Sequence, residues 1–330
     1  MLRTFSLILV FFLFSFFSRA NDSVTQKDIH TLCKTDLVQC HEMLPAALEK
    51  VKPKSFHWFR LKMYQVTTYF QFKPVVERIK LVEPLLEITA APANFKLTVY
   101  IDWAKSQYFE GNHEVAIEYA DKAIKLASEL TEPFDNPLLY VQLFNIQTYK
   151  VHAMEKLGRE PNIEQYRRNV YQELLSIYDK YQRITDIEFH KEAQVNLGHL
   201  MFHVGETEAS VKHYLTSADW AIKQGNSQQA GIGYFNAARA YQNAKQYRDA
   251  SSFFVLALQH FGNANNQSYI HLTYFRLAQV LRDDNKFEKA LQYFSMIDKQ
   301  HLRISEHENY DKMALQSPFK YRTSGPKAAI

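Results

Sequence analysis

Residues 237–258 read AARAYQNAKQYRDASSFFVLAL. The small pair Ala237-Ala238 precedes Tyr241, a polar turn follows, and Tyr247, Ala250, Phe254 and Ala257-Leu258 complete the stretch. Apolar residues recur at helical spacing on both sides of the turn, so the stretch reads as two antiparallel helices. The same order returns on either side. Upstream stand Leu197-Gly198, Gly205, Ser210, Tyr214 and Ser217-Ala218; downstream stand Leu277-Ala278, Leu281, Phe287, Ala290-Leu291, Phe294 and Ile297. Gly198, Ala238 and Ala278 are successively 40 residues apart, and so are Tyr214, Phe254 and Phe294. Register kept across small, aromatic and turn positions marks an internal repeat.

The physical reading is direct. Small residues on the first helix (Gly198, Ala238, Ala278) and on the second (Ala250, Ala290) let two backbones approach. Large ones (Tyr241, Phe254, Phe294) fill the holes on the next unit, and no unit buries its apolar stripe alone, so the array must stack. These residues resemble the tetratricopeptide repeat (TPR) family, whose pattern is a large–small pair, an aromatic, a turn, then A-x3-[FY]-x2-A. Trp103-Ala104, Gly111, Ala116, Ala120 and Ala123 resemble it too. The resemblance implies an all-α protein, a right-handed α-solenoid of TPR-like antiparallel helix pairs over residues 55–300, with clear repeats at 97–128 and 191–300. Ser55–Phe72 with Pro74–Ile88, and 136–181, read as pairs without the full pattern; Ser55 is a candidate N-cap. The family's unit is about 34 residues, so the longer period adds roughly one helical turn and leaves the curvature open. The layout also resembles the exported TPR sensor region of bacterial membrane-bound signalling proteins of the GGDEF diguanylate cyclase type. That likeness implies a sensor or interaction module without cyclase activity.

Residues 1–20 read as a secretory signal peptide: Arg3, a mostly apolar run from Phe5 to Phe17, then Ser18-Arg19-Ala20. Cleavage after Ala20 is expected, an uncleaved membrane anchor being the alternative, and the location is periplasmic or secreted in a bacterium. Cys33 and Cys40, the chain's 2 cysteines, then sit in an oxidising compartment. On one straight helix their α-carbons would be about 10 Å apart, too far to bridge. A disulfide in the 21–54 segment therefore requires a bend, which Thr35-Asp36 could supply; free thiols are the alternative. Residues 301–330 read as a polar, disordered tail, with room for a helix around Glu306–Gln316.

Composition narrows the function. The chain has 9 glycines and 10 prolines, too few for glycine-rich phosphate loops, against 24 Phe and 20 Tyr. A formal charge of +4, with two of the positives in the leader, gives no reason to propose nucleic acid. No G-x-S-x-G, H-E-x-x-H or P-loop occurs, so a catalyst is not expected. Asp283-Asp284 falls at a turn, and Trp103 and Trp220 read as core. No cofactor is expected.

In arrays resembling TPRs the first helices line a concave groove. The candidate partner-binding residues are Asn196, His199, His203, Phe235, Asn236, Arg239, Gln242, Asn243, Arg276, Gln279 and Arg282, with Phe275 beside them. Amides can pair with a peptide backbone and arginines with a carboxylate. Asn236 and Arg276 resemble two places of the carboxylate clamp of chaperone-binding TPR domains, but Val195, His199 and Leu272 depart from it. His199 and His203, one turn apart, are too few for a zinc site and read as groove histidines rather than metal ligands. The expectation is a protein or peptide ligand in the groove, against a small anionic ligand or a plain solvated face. A scaffold of an envelope assembly is the alternative function.

Overall fold

The computed structural model describes residues 29–33, 37–130, 137–302 and 304–316. The expected signal peptide over residues 1–20, the expected bend at Thr35-Asp36 and residues 317–330 lie outside them. The described residues contain no strand. They form two compact units, residues up to 130 with 152–159, and residues 137–151 with those from 160 onward. No helix among them is long and apolar enough to cross a membrane.

In the first unit, a helical stretch over 29–33 precedes α1 (Leu37–Glu49), α2 (Phe56–Phe72), α3 (Val75–Leu86), α4 (Ala93–Glu110) and α5 (His113–Glu129). The Ser55 hydroxyl accepts from the Trp58 amide at 3.2 Å, satisfying one of the orphan donors at the start of α2. Pro74 and Pro92 stand immediately before α3 and α4, where a missing amide proton costs nothing. Phe59, Val66, Val82, Phe95, Val99 and Trp103 bury together between α2, α3 and α4. Cys33 and Cys40 are joined by a disulfide across a Cα–Cα distance of 4.8 Å, buried with Ile29, Leu44 and Leu61.

Helix α6 (Pro137–Leu157) runs from the second unit into residues assigned to the first. Within the second unit follow α7 (Ile163–Tyr181), α8 (Ile187–His203), α9 (Thr207–Lys223), α10 (Ser227–Asn243), α11 (Tyr247–Asn263), α12 (Gln267–Asp283) and α13 (Phe287–Ser295). Each of α8 to α12 is 17 residues long. Their starts at 187, 207, 227, 247 and 267 fall 20 residues apart, so the 40-residue repeat is two equal helix-plus-turn halves.

The turns explain that regularity. After α9, the Gly225 amide donates to the Ile222 carbonyl and the Asn226 amide to the Ala221 carbonyl, both at 2.9 Å. This pair of bonds is a Schellman stop, which needs a left-handed residue just past the helix. Gly205, Gly225, Lys245, Asn265 and Asn285 supply it in turn, all at positive φ. At two of these turns the next residue also caps the following helix: Asn226 accepts from Gln229 and Asn266 from Tyr269, whereas Glu206, Gln246 and Lys286 make no side-chain cap bond.

Close packing follows from the small residues. A Cβ on Gly198 would meet the fully buried Tyr214 ring at 2.7 Å, and one on Gly233 would meet Ala218 at 2.8 Å and the Tyr214 carbonyl at 2.9 Å. Trp103 is buried, as expected of a core residue, while Trp220 is half-buried and stacks on His190 with ring centroids 4.3 Å apart.

The helix for which the sequence leaves room around Glu306–Gln316 is present as α14 (Ile304–Ala314); it is not part of a disordered tail but closes the core of the α12–α13 pair. Leu302, Met313 and Ala314 are buried there, and Tyr310 stacks on Phe294 with centroids 5.0 Å apart. Without α14 the α12–α13 pair would expose the apolar face that it buries against these residues.

Candidate functional site

A cleft of about 370 Å³ opens in the second unit, lined by Arg239, Gln242, Asn243, Lys245, Tyr247, Arg276 and Asp283. Its parts come from the C-terminal ends of α10 and α12 and from the turn into α11. Arg239 lies one turn beyond Phe235 on α10. Phe235 is buried against Phe254, Phe261 and Tyr269. The long Arg239 stem carries its charged head out of that core, over the Phe202 ring at 5.3 Å.

Arg276 is held from the other side. Its Nη1 donates to Gln279 Oε1 at 3.0 Å and its Nη2 to Glu306 Oε1 of α14 at 2.8 Å. Burial lowers the Arg276 pKa, Glu306 opposes that shift, and the charge of Arg239 adds to it. The two guanidiniums therefore sense one another. Arg282 is spent on the protein itself, donating to Asp283 at 2.8 Å and to Gln316 at 2.8 Å. Three cations, Arg239, Lys245 and Arg276, thus line the cleft against Asp283, whose charge Arg282 offsets.

Four of the expected residues, Arg239, Gln242, Asn243 and Arg276, come together here. Gln279 and Arg282 are neighbours that brace the site. Others are placed differently. Phe235 and Phe275 are core residues, 6% and 0% exposed, not groove residues. Asn196 is also buried: it accepts from Asn145 Nδ2 at 3.2 Å and donates to the Glu192 carbonyl at 2.7 Å, joining two helices of the unit. Asn236 is buried as well. His199 Nδ1 shares a hydrogen bond of 2.8 Å with the Tyr214 hydroxyl, whose pKa burial raises, so His199 is fixed within the pair. His203 is exposed. Lys245, Tyr247 and Glu306 were not expected; the polar turn Ala244–Gln246 was the available signal for the first two.

No protein family matches the sequence, and neither does any curated protein. Solved structures of similar fold include a Rap protein complexed with Competence and Sporulation Factor, at TM-score 0.57 and 13% identity, covering 89% of this chain and 78% of that one. A tetratricopeptide repeat protein from Parabacteroides merdae has TM-score 0.51 at 13% identity, over 88% of this chain and 97% of that one. NprR in complex with its cognate peptide NprX has TM-score 0.50 at 13% identity, over 93% and 86%. At such identities the likeness establishes fold alone: this chain is an all-α, TPR-like helical-repeat protein.

Proposed function

We propose that the chain is a non-catalytic module that binds a peptide or protein segment along the first helices of its second unit, centred on the Arg239–Arg276 cleft. The observation that carries this reading is the convergence of Arg239, Gln242, Asn243 and Arg276 on one open cleft. Buried core residues hold the helices below, while the Gln242 and Asn243 amides and the Arg239 guanidinium line the open cleft. Gln242 and Asn243 each offer a donor and an acceptor, which suits a peptide backbone, and the arginines suit its anionic groups. One of the structurally similar proteins, NprR, is in complex with its cognate peptide NprX, which supports the same class of ligand here. The apolar leader supports an exported, envelope-facing sensor or interaction role.

Random-peptide display against the chain tests this, followed by dissociation constants for the selected synthetic peptides. An Arg239→Ala, Arg276→Ala variant should weaken them by about tenfold or more, as for lost charge-assisted hydrogen bonds. Peptides bound equally by both proteins would move the site away from the cleft.

A further inference from the structure

One of the lining cations is already paired with a carboxylate from beside the cleft. Glu306 of α14, outside the regular repeat, forms an ion pair of 2.8 Å with Arg276; their side chains are 16% and 23% exposed. Glu306 and Gln279 do not saturate the guanidinium, whose Nε is buried without an acceptor. Across the cleft, neither Arg239 nor Lys245 forms an ion pair with a carboxylate among the described residues; Arg239 rests on an aromatic face instead. Asp283 is occupied by Arg282. One internal carboxylate therefore offsets one of three lining cations.

We propose that the cleft takes an acidic side chain of the bound segment, and that Glu306 is an internal competitor that sets its affinity by holding Arg276. This rests on the peptide-binding reading above and specifies the chemistry of its ligand and its control. Arg239 and Lys245 attract the incoming carboxylate, while the Glu306 charge repels it and occupies the Arg276 donor it would use. Movement of α14 away from Arg276 would leave three cations facing the ligand. The affinity of the site is then coupled to the docking of the C-terminal helix through a single ion pair. Because the pair is partly exposed, its effect is moderate and falls with salt.

The test is fluorescence anisotropy with a rhodamine-labelled, N-acetylated, C-terminally amidated tetraglutamate, titrated with the full chain. Tetraglutamine carrying the same label is the control. The expected result is binding of the acidic peptide alone, weakened by salt. Glu306→Gln should tighten it about fivefold, the size of a partly exposed ion pair. Arg239→Gln should weaken it about tenfold. In an Arg276→Gln background the gain from Glu306→Gln should vanish, which separates charge competition from a general loosening of α14. Equal or weaker binding by Glu306→Gln, or an undiminished gain without Arg276, would overturn the competitor. Display-selected peptides that need Arg239 but tolerate replacement of every acidic residue would overturn the acidic ligand while leaving the groove intact.

Discussion

Lys245 shows a residue set by two demands. The Schellman stop after α10 requires a left-handed residue, and a lysine held at φ 59° costs roughly 1 kcal/mol relative to glycine. The same position puts a cation on the cleft, beside the carbonyl end of α10, where positive charge is also favoured. Lys245→Gly should therefore raise stability by about 0.5–1 kcal/mol in urea unfolding while weakening the acidic peptide. A variant that is less stable would mean the lysine side chain contributes packing that outweighs its backbone strain. His213 gives a pH prediction. Its neutral form is fully satisfied, with Nδ1–H donating to Gln194 Oε1 at 2.6 Å and Nε2 accepting from the Tyr171 hydroxyl at 2.9 Å. Burial, helped by Lys212, lowers its pKa to about 4. The unfolded chain binds that proton near pH 6.5, so the stability contribution is complete above that value and is lost as pH falls toward 4. The loss amounts to roughly 3 kcal/mol. Thermal unfolding between pH 7 and 4 checks it, and His213→Gln should flatten the slope.

Helices were the most legible level, because each signal is local. Ser55 marks the start of α2, the glycines and asparagines mark the stops, and the recurring small residues mark the contacts. Gly233 is the sharpest test of that packing. Its Cβ would press on the Tyr214 carbonyl, which cannot swing aside as a side-chain tip can. Gly233→Ala should cost about 1–3 kcal/mol in urea unfolding, despite alanine's better helix propensity. A neutral result would show that α9 and α10 can separate without loss. The site was harder to read. The 40-residue register identifies the helix and roughly its face, but not how far a side chain climbs out. Phe235 and Arg239 share a face of α10, yet one ends in the core and the other, half-buried, at the cleft. Asn196 and Asn236 looked like groove amides because polarity suggested exposure; they are buried, and Asn196 bridges helices instead. A helix starting near Glu306 is legible, but the repeat pattern ends before it, and only packing reveals that α14 completes the last pair and brings Glu306 to Arg276.

At the scale of the molecule, stacking gives each unit its own core, and each core is joined by a piece outside the regular pattern. In the second unit it is α14. In the first, the Cys33–Cys40 disulfide anchors the stretch over 29–33 to α1. Reduction should destabilise the first unit by about 2–3 kcal/mol, the loop-closure value for so short a ring. Urea unfolding with and without dithiothreitol measures it, and no change would mean the buried thiols pack as well as the bridge. The proposed binding site, in contrast, is one cleft of the second unit, whose arginines stand on helices and whose lysine stands in the turn between two of them. The measurement that tests this most directly is the dissociation constant of a display-selected peptide for two single variants. Arg239→Glu reverses a charge in the cleft, and Leu256→Ala trims an exposed apolar side chain on α11. The account predicts at least about a tenfold loss for the first and no change for the second. Loss with Leu256→Ala and full affinity with Arg239→Glu would contradict it and place the binding surface on the second helices of the repeats.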